Sequence, residues 1–100
     1  MPLSGTRQPF QTGSINKITD EPGVFVLLSR GMPIYFGLAN PEGIRTKLRE
    51  HYAGKHGSCT KIATGVLVEE CEKPEERLQE LLGEHVTEFG EPPRCNNQGE

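Results

Sequence analysis

The sequence lacks any long hydrophobic run. No segment approaches the roughly 18 consecutive apolar residues that a membrane-spanning helix needs. The amino terminus also lacks the basic and apolar blocks of a secretory signal peptide. We therefore expect a cytoplasmic protein that does not bind membranes.

Cysteine is scarce, and no C-x-x-C pair occurs among Cys59, Cys71 and Cys95. Three cysteines cannot all pair within one chain, so we expect free thiols in a reducing compartment. His51, His56 and Cys59 lie close enough in sequence to suggest zinc, but a fourth ligand with finger-like spacing is absent. Ordinary loop side chains are the favoured interpretation of these three residues.

The sequence also lacks internal repeats, low-complexity tracts and room for a second domain. A chain of 100 residues with 33% apolar composition suits one domain with a modest core. In residues 1–20, proline, glycine and serine interrupt any apolar period, which predicts a partly flexible amino-terminal arm. The domain is expected to span residues 21–100.

The first elements of this domain read as a β-hairpin. Residues 23–28 and 34–38 are apolar, β-branched or aromatic, and residues 29–33 (SRGMP) between them have turn chemistry. A similar run at residues 64–69 predicts a third strand.

Two helices are predicted around this third strand. Asn40 is expected to cap the first, with Pro41 at its first position and its end near Gly54. Its apolar face consists of Ile44, Leu48 and Tyr52. The second helix is expected to begin at Pro74 and to end at Gly90, before an extended tail. Its apolar stripe consists of Leu78, Leu81, Leu82, Val86 and Phe89.

The order strand, strand, helix, strand, helix predicts an α+β domain with a small three-stranded antiparallel sheet flanked by helices. A hairpin alone could not bury both helical stripes. The predicted core consists of Val24, Val26, Ile34, Phe36, Leu48, Val66, Val68, Leu78, Leu82 and Val86.

Charge is distributed unevenly along the chain. Residues 1–67 carry 8 basic and 4 acidic side chains, whereas residues 68–100 carry 3 and 10. Most of the basic surplus lies in one segment, at Arg45, Lys47, Arg49, Lys55 and Lys61. Such a segment could bind the phosphate backbone of DNA, because the contact releases counterions. The alternative is that these side chains form a helix face and loop that are only solvated.

Four short motifs occur in order on these predicted elements. They are EPGVF at residues 21–25, YFG at 35–37, I-x-x-K-L-x-x-H-Y at 44–52 and P-x-x-N at 93–96. Together they resemble the paired signatures, the following helix and the closing motif of the GIY-YIG nuclease family, especially the bacterial excision-repair nucleases. The resemblance covers about three quarters of the chain and implies a GIY-YIG-like fold.

The resemblance implies metal-dependent hydrolysis of DNA phosphodiesters, with Mg²⁺ or Mn²⁺ as cofactor. Tyr35 would accept a proton or orient water, with His51 as a helper and Asn96 as a polar support. Lys47 occupies the helix position at which the family has a phosphate-binding arginine. Family enzymes usually gain target preference from an added DNA-binding domain, so a protein partner could supply it here.

Several positions depart from the family pattern. Phe25 replaces the tyrosine of the first signature, and Leu38 replaces a lysine that often follows the second. Lys47 lacks the planar two-pronged grip of arginine on phosphate. Two hypotheses therefore remain: a metal-dependent endonuclease, and a catalytically inactive module that binds nucleic acid or protein.

The metal-binding glutamate is the largest departure. In the family, this glutamate lies in the last helix within a leucine-rich stripe. Counting along that stripe places Leu82 where the family has the glutamate. Glu80 is nearest in sequence but should point away from the stripe, and Glu75 lies at the edge of the stripe. Glu75 and Glu80 are the candidate metal ligands.

Overall fold

The computed structural model describes residues 7–96. Its elements are β1 (Gln8–Pro9), α1 (Thr12–Ile15), β2 (Gly23–Ser29), β3 (Met32–Ala39), α2 (Ile44–Tyr52), a 3₁₀ turn (Thr60–Ile62), β4 (Gly65–Glu70) and α3 (Pro74–Phe89). The strands form one antiparallel sheet in the order β1-β4-β2-β3. The α+β class is confirmed, but the described sheet has four strands because β1 pairs with β4, so the three-strand prediction was wrong. None of the described helices is long and apolar enough to cross a membrane.

The hairpin of β2 and β3 contains a bulge that affects the site. Leu27 pairs with Tyr35 but Leu28 pairs with Pro33, so Ile34 is an additional residue on β3. A bulge of this kind turns two consecutive side chains toward the same side of a sheet. Ile34 and Tyr35 accordingly both contact the same hydrophobic cluster.

The sheet has two faces covered by different helices. One face, which we call the α2 face, packs against α1 and α2 and includes Phe25, Leu27 and Val66. The opposite α3 face packs against α3 and includes Val26 and Phe36. This division follows from the alternation of side chains along each strand, and β2 at the centre buries residues on both faces.

Most of the predicted core is confirmed. Residues buried as predicted are Val24, Val26, Ile34, Phe36, Leu48 and Val66. Val68, Leu78 and Leu82 are half-buried, and the prediction for Val86 was wrong because its exposed fraction is 41%. On α3 the buried residues facing the sheet are Leu81 and His85, one helical turn apart.

The segment before Glu21, expected to be an arm, packs onto the domain within its described part. Phe10, Ile15 and Ile18 are buried in the cluster on the α2 face. The Phe10 backbone N–H also donates to the Thr64 carbonyl at 3.1 Å. Residues 1–6 of the predicted arm lie outside the described residues.

Helix α2 begins later than predicted. Its cap residue is Gly43, not Asn40, and the Asn40–Pro41 peptide bond is cis. A Cβ atom on Gly43 would lie only 1.7 Å from the Asp20 carbonyl oxygen, so only glycine allows the two backbones to approach this closely. The start of the helix is therefore set by contact with residues 19–21.

Residues 19–21 satisfy the amino-terminal N–H groups of α2. The Ile44 and Arg45 N–H groups donate to the backbone carbonyls of residues 21 and 19, each at 3.1 Å. The Thr46 N–H donates to the Asp20 carboxylate at 2.9 Å, which holds the pKa of that carboxyl below its ordinary value. These groups would otherwise lack partners at a helix start.

The prediction of three free thiols was wrong. Cys59 and Cys95 form a disulfide with their Cα atoms 5.6 Å apart, and Cys71 is the free cysteine. The fold brings these positions together across 36 residues of sequence, which counting cysteines could not reveal. The disulfide also removes Cys59 as a zinc ligand.

Candidate functional site

The candidate site forms on the α2 face from three aromatic rings. The ring centroid of Tyr35 on β3 lies 4.9 Å from that of His51 on α2, and Phe25 on β2 lies 5.5 Å from His51. A Cβ atom at Gly37 would lie 2.2 Å from the Phe25 ring, so the glycine makes room for that ring. The two sequence signatures therefore meet in space, with Phe25 packed over Gly37.

His51 is held in a neutral, buried state. It is 2% exposed, and its Nδ1 lies 2.9 Å from the Thr60 hydroxyl. Burial lowers its pKa to about 4, with a smaller contribution from neighbouring His56, whose ring stacks on His51 at 4.3 Å. A neutral imidazole can relay or accept a proton but offers no positive charge to a phosphate.

Glu50 supplies a carboxylate to the same cluster. Its Oε1 lies 2.7 Å from His56 Nε2 and 3.7 Å from Lys47 Nζ. The His56 hydrogen bond, followed by the charge of Lys47, lowers the pKa of Glu50. The route Tyr35, His51, His56, Glu50 is therefore a continuous series of contacts on the α2 face.

Lys47 is already paired with carboxylates. Its ammonium lies 2.8 Å from Glu42, and this interaction raises the pKa of Lys47. Its charge is thus largely neutralised before any phosphate arrives.

The predicted metal ligands lie away from Tyr35. The Asn40 side-chain amide donates to Glu75 at 2.6 Å beyond the carboxyl end of β3. Glu80 pairs with Arg77, whose guanidinium also binds Glu69. Both glutamates belong to α3, which packs on the opposite face of the sheet.

The structure therefore does not bring Glu75 or Glu80 together with Tyr35. Within residues 7–96, no cluster of three or more histidine, cysteine, aspartate or glutamate side chains has the geometry of a metal site.

Asn96 lies beside the outer edge of β3. Its side-chain carbonyl accepts from the Phe36 N–H at 2.8 Å, and its amide donates to the Phe36 carbonyl at 3.0 Å. The Cys95 N–H donates to the Ile34 carbonyl. The tail thus covers the strand edge next to Tyr35, with Asn96 supporting the backbone.

The basic residues predicted to bind nucleic acid lie on α2 and the loop that follows it. Arg49 donates to Asn16 at 2.7 Å, and Arg45 lies 3.9 Å from Asp20. Lys55 and Lys61 are exposed. Arg49, Lys55 and Lys61 are thus the members of the predicted set that are exposed and make no ion pair among residues 7–96.

Sequence reasoning missed Glu50, His56 and Thr60 as parts of the site. The helical spacing of Lys47 and Glu50, three residues apart, was an available signal, but the resemblance implies a metal-binding glutamate on the last helix. Comparison of the chain with known protein families, curated proteins and solved structures finds no match.

Proposed function

We propose that this chain is a nucleic-acid-binding module, with DNA as its partner, built on a GIY-YIG-like scaffold. The observation that carries the proposal is the separation of charge between the two faces of the sheet. The basic helix α2 and its loop cover the face that holds Tyr35. The glutamates of α3, on the opposite side, are Glu75, Glu76, Glu80, Glu84 and Glu88.

A polyanion would approach the α2 face because the acidic α3 side repels it. Arg49, Lys55 and Lys61 are the exposed cations available to phosphates, whereas Lys47 is engaged by Glu42 and Glu50. Phosphate contacts of this kind position a protein on DNA without reading its sequence. A protein partner would then supply target specificity.

Fluorescence anisotropy with duplex and branched DNA tests this proposal over a salt series. Replacing Lys55 and Lys61 with alanine should weaken binding and reduce the salt slope by about one unit per lost phosphate contact. Lys73→Ala is a control for the loss of one lysine away from the α2 face, because Lys73 lies at the start of α3 beside Glu76. Salt-independent binding, or equal losses in the control, would contradict the proposal.

A second candidate function is metal-dependent endonuclease activity, and the position of Glu50 favours it. Glu50 joins Tyr35 and His51 on one face, whereas Glu75 and Glu80 do not fit the role of ligands near Tyr35. Mg²⁺ or Mn²⁺ usually retains several waters and needs few protein carboxylates. In this candidate Glu50 would hold the cation, Tyr35 would orient water and His51 would assist.

Cleavage of nicked, branched and plain DNA, and of single-stranded RNA, in Mg²⁺ or Mn²⁺ tests the second candidate. Loss of one positioned acid–base group costs roughly 10² to 10⁴ in rate, so Tyr35→Phe should slow cutting by about that factor. Glu50→Gln should slow cutting by weakening cation binding, while Glu75→Gln should retain the parent rate. Equal rates in all variants, with no cation binding by calorimetry, would remove the nuclease candidate and leave the binding module.

A further inference from the structure

Three arginines outside the predicted basic segment, Arg7, Arg30 and Arg94, line two hollows near the turn between β2 and β3. Arg7 and Arg30 line one hollow beside Gly31, and Arg30 and Arg94 line a second hollow. Arg30 follows the end of β2 with φ of +55°, and its backbone N–H donates to the Thr64 hydroxyl at 3.3 Å. The turn thus places Arg30 between the other two arginines.

Among the described residues 7–96, these arginines are not paired with neighbouring carboxylates. Within residues 7–96, Arg7, Arg30 and Arg94 form no ion pair, and no acidic side chain lines either hollow. Lys47, by contrast, contacts Glu42 and Glu50. The turn therefore presents guanidinium groups suited to phosphate oxygens.

Two apolar side chains lie exposed in the second hollow, between Arg30 and Arg94. The exposed fractions of Met32 and Ile62 are 53% and 49%. Paired bases in a duplex are stacked on one another, but an unpaired base has a free face that a protein side chain can cover. Aliphatic side chains of this type also insert against bases where a duplex is opened.

The second hollow adjoins the Tyr35 cluster. Ile34, next to Tyr35 on β3, lines it. Ile62 belongs to the 3₁₀ turn that also contains Thr60, the hydrogen-bond partner of His51. Lys61, a cation of the proposed DNA-binding face, lies in the same turn.

We infer that this surface binds an unpaired strand of nucleic acid next to a duplex. Arg7, Arg30 and Arg94 contact its phosphates, and Met32 and Ile62 cover a base. The inference rests on the proposed function in taking nucleic acid as the partner, and it adds the preferred structure of that partner. Two concave hollows suit a flexible strand better than a flat bilayer, and continuity with Lys61 favours nucleic acid over an acidic peptide.

The test compares binding of a plain duplex with binding of the same duplex carrying a single-stranded overhang. The parent protein should prefer the overhang by about 5-fold, which takes the aliphatic contact at the lower end of the range for a base stacked on an aromatic side chain. Arg30→Ala with Arg94→Ala should weaken overhang binding and lower its salt slope by about 1.4 units, since each lost contact to a single strand accounts for about 0.7. Lys73→Ala is a control for the loss of one positive charge on the α3 side.

The apolar contact needs a separate variant. Met32→Ala with Ile62→Ala should reduce the overhang preference to the part that the arginines contribute. The salt slope should stay unchanged, since no charge is lost. Val86→Ala is the control, because Val86 is a similarly exposed apolar residue on α3. All these side chains are exposed, and thermal unfolding checks that each variant is folded.

The outcomes separate this inference from the proposed function. Equal binding of duplex and overhang, or arginine variants that behave like Lys73→Ala, overturns the inference and leaves DNA binding by α2 in place. Absence of binding to every nucleic acid overturns both. Binding only to an acidic peptide, or only to vesicles containing anionic lipid, also overturns both.

Discussion

At the scale of single residues, the site depends on a histidine that is buried without a charge. His51 packs between Tyr35 and His56 and contacts the Thr60 hydroxyl. Burial is the largest cause of its low pKa. His56 and Lys47 lower the pKa further, and the charge of Glu50 partly offsets them. The folded state is therefore more stable when the His51 imidazole is neutral than when it is protonated.

The low pKa of His51 predicts that stability falls in mild acid. The pKa is about 4 in the folded protein and 6.5 ordinarily, so the unfolded chain binds more protons between these values and unfolding becomes easier as pH falls. From pH 7.5 to pH 5 the free energy of unfolding should fall by about 2 kcal/mol through this residue alone. Urea denaturation at the two pH values measures the change.

The control for this prediction is His51→Gln, which removes the titrating group. Its stability should depend less on pH across the same range, whatever its absolute value. Asp20 and Glu50, whose carboxyl pKa values are lowered, lose their contributions only at more acidic pH. An unchanged pH dependence in His51→Gln would show that another group is responsible.

At the scale of elements, the start of α2 is determined by the segment that precedes β2. Residues 19–21 accept hydrogen bonds from the first N–H groups of the helix. The hydrogen bonds need the close approach of Gly43 to the Asp20 carbonyl. The amino-terminal segment and α2 are therefore expected to fold as one unit on their face of the sheet.

Replacing Gly43 with alanine should destabilise the protein. The added methyl group would overlap the Asp20 backbone, and overpacking of this kind typically costs about 1–3 kcal/mol. Gly83→Ala on α3 is the matched control because nothing lies within 4 Å of its new methyl group. Greater helix propensity should stabilise that variant by up to about 1 kcal/mol. Urea denaturation measures both, and equal effects of the two substitutions would contradict the packing argument.

At the scale of the whole molecule, a disulfide joins the loop after α2 to the carboxyl-terminal tail. Cys59 precedes the turn that contains Thr60, and Cys95 precedes Asn96 at the edge of β3. The bond therefore holds two segments that surround the Tyr35 cluster. It also removes the reason for expecting a reducing compartment, so cytoplasmic localisation stays a prediction.

Reducing this disulfide should lower stability. Closing a loop of 36 residues restricts the unfolded chain by about 4 kcal/mol in the chain-entropy account. Urea unfolding with and without dithiothreitol measures the difference. The double variant Cys59→Ser with Cys95→Ser should resemble the reduced protein and be insensitive to the reductant, whereas Cys71→Ser should retain the response. If reduction leaves the parent unchanged, the bond does not stabilise the fold.

The sequence by itself determined the elements whose signals are local. The β2–β3 hairpin, β4 and α3 were predicted because apolar alternation, turn residues and helical spacing lie within each segment. The two faces of the sheet follow from the same alternation. These features need no knowledge of distant residues.

Tertiary structure decided the features that depend on distant partners. Two-residue β1 has no periodicity of its own and becomes a strand by pairing with β4. The start of α2 depends on Asp20, and the disulfide depends on the return of the tail to β3. Glu50 joined the site, and Glu75 did not, because packing placed α2 and α3 on opposite faces of the sheet. Spacing along the chain limits which side chains share a helix face, but only packing determines which faces meet.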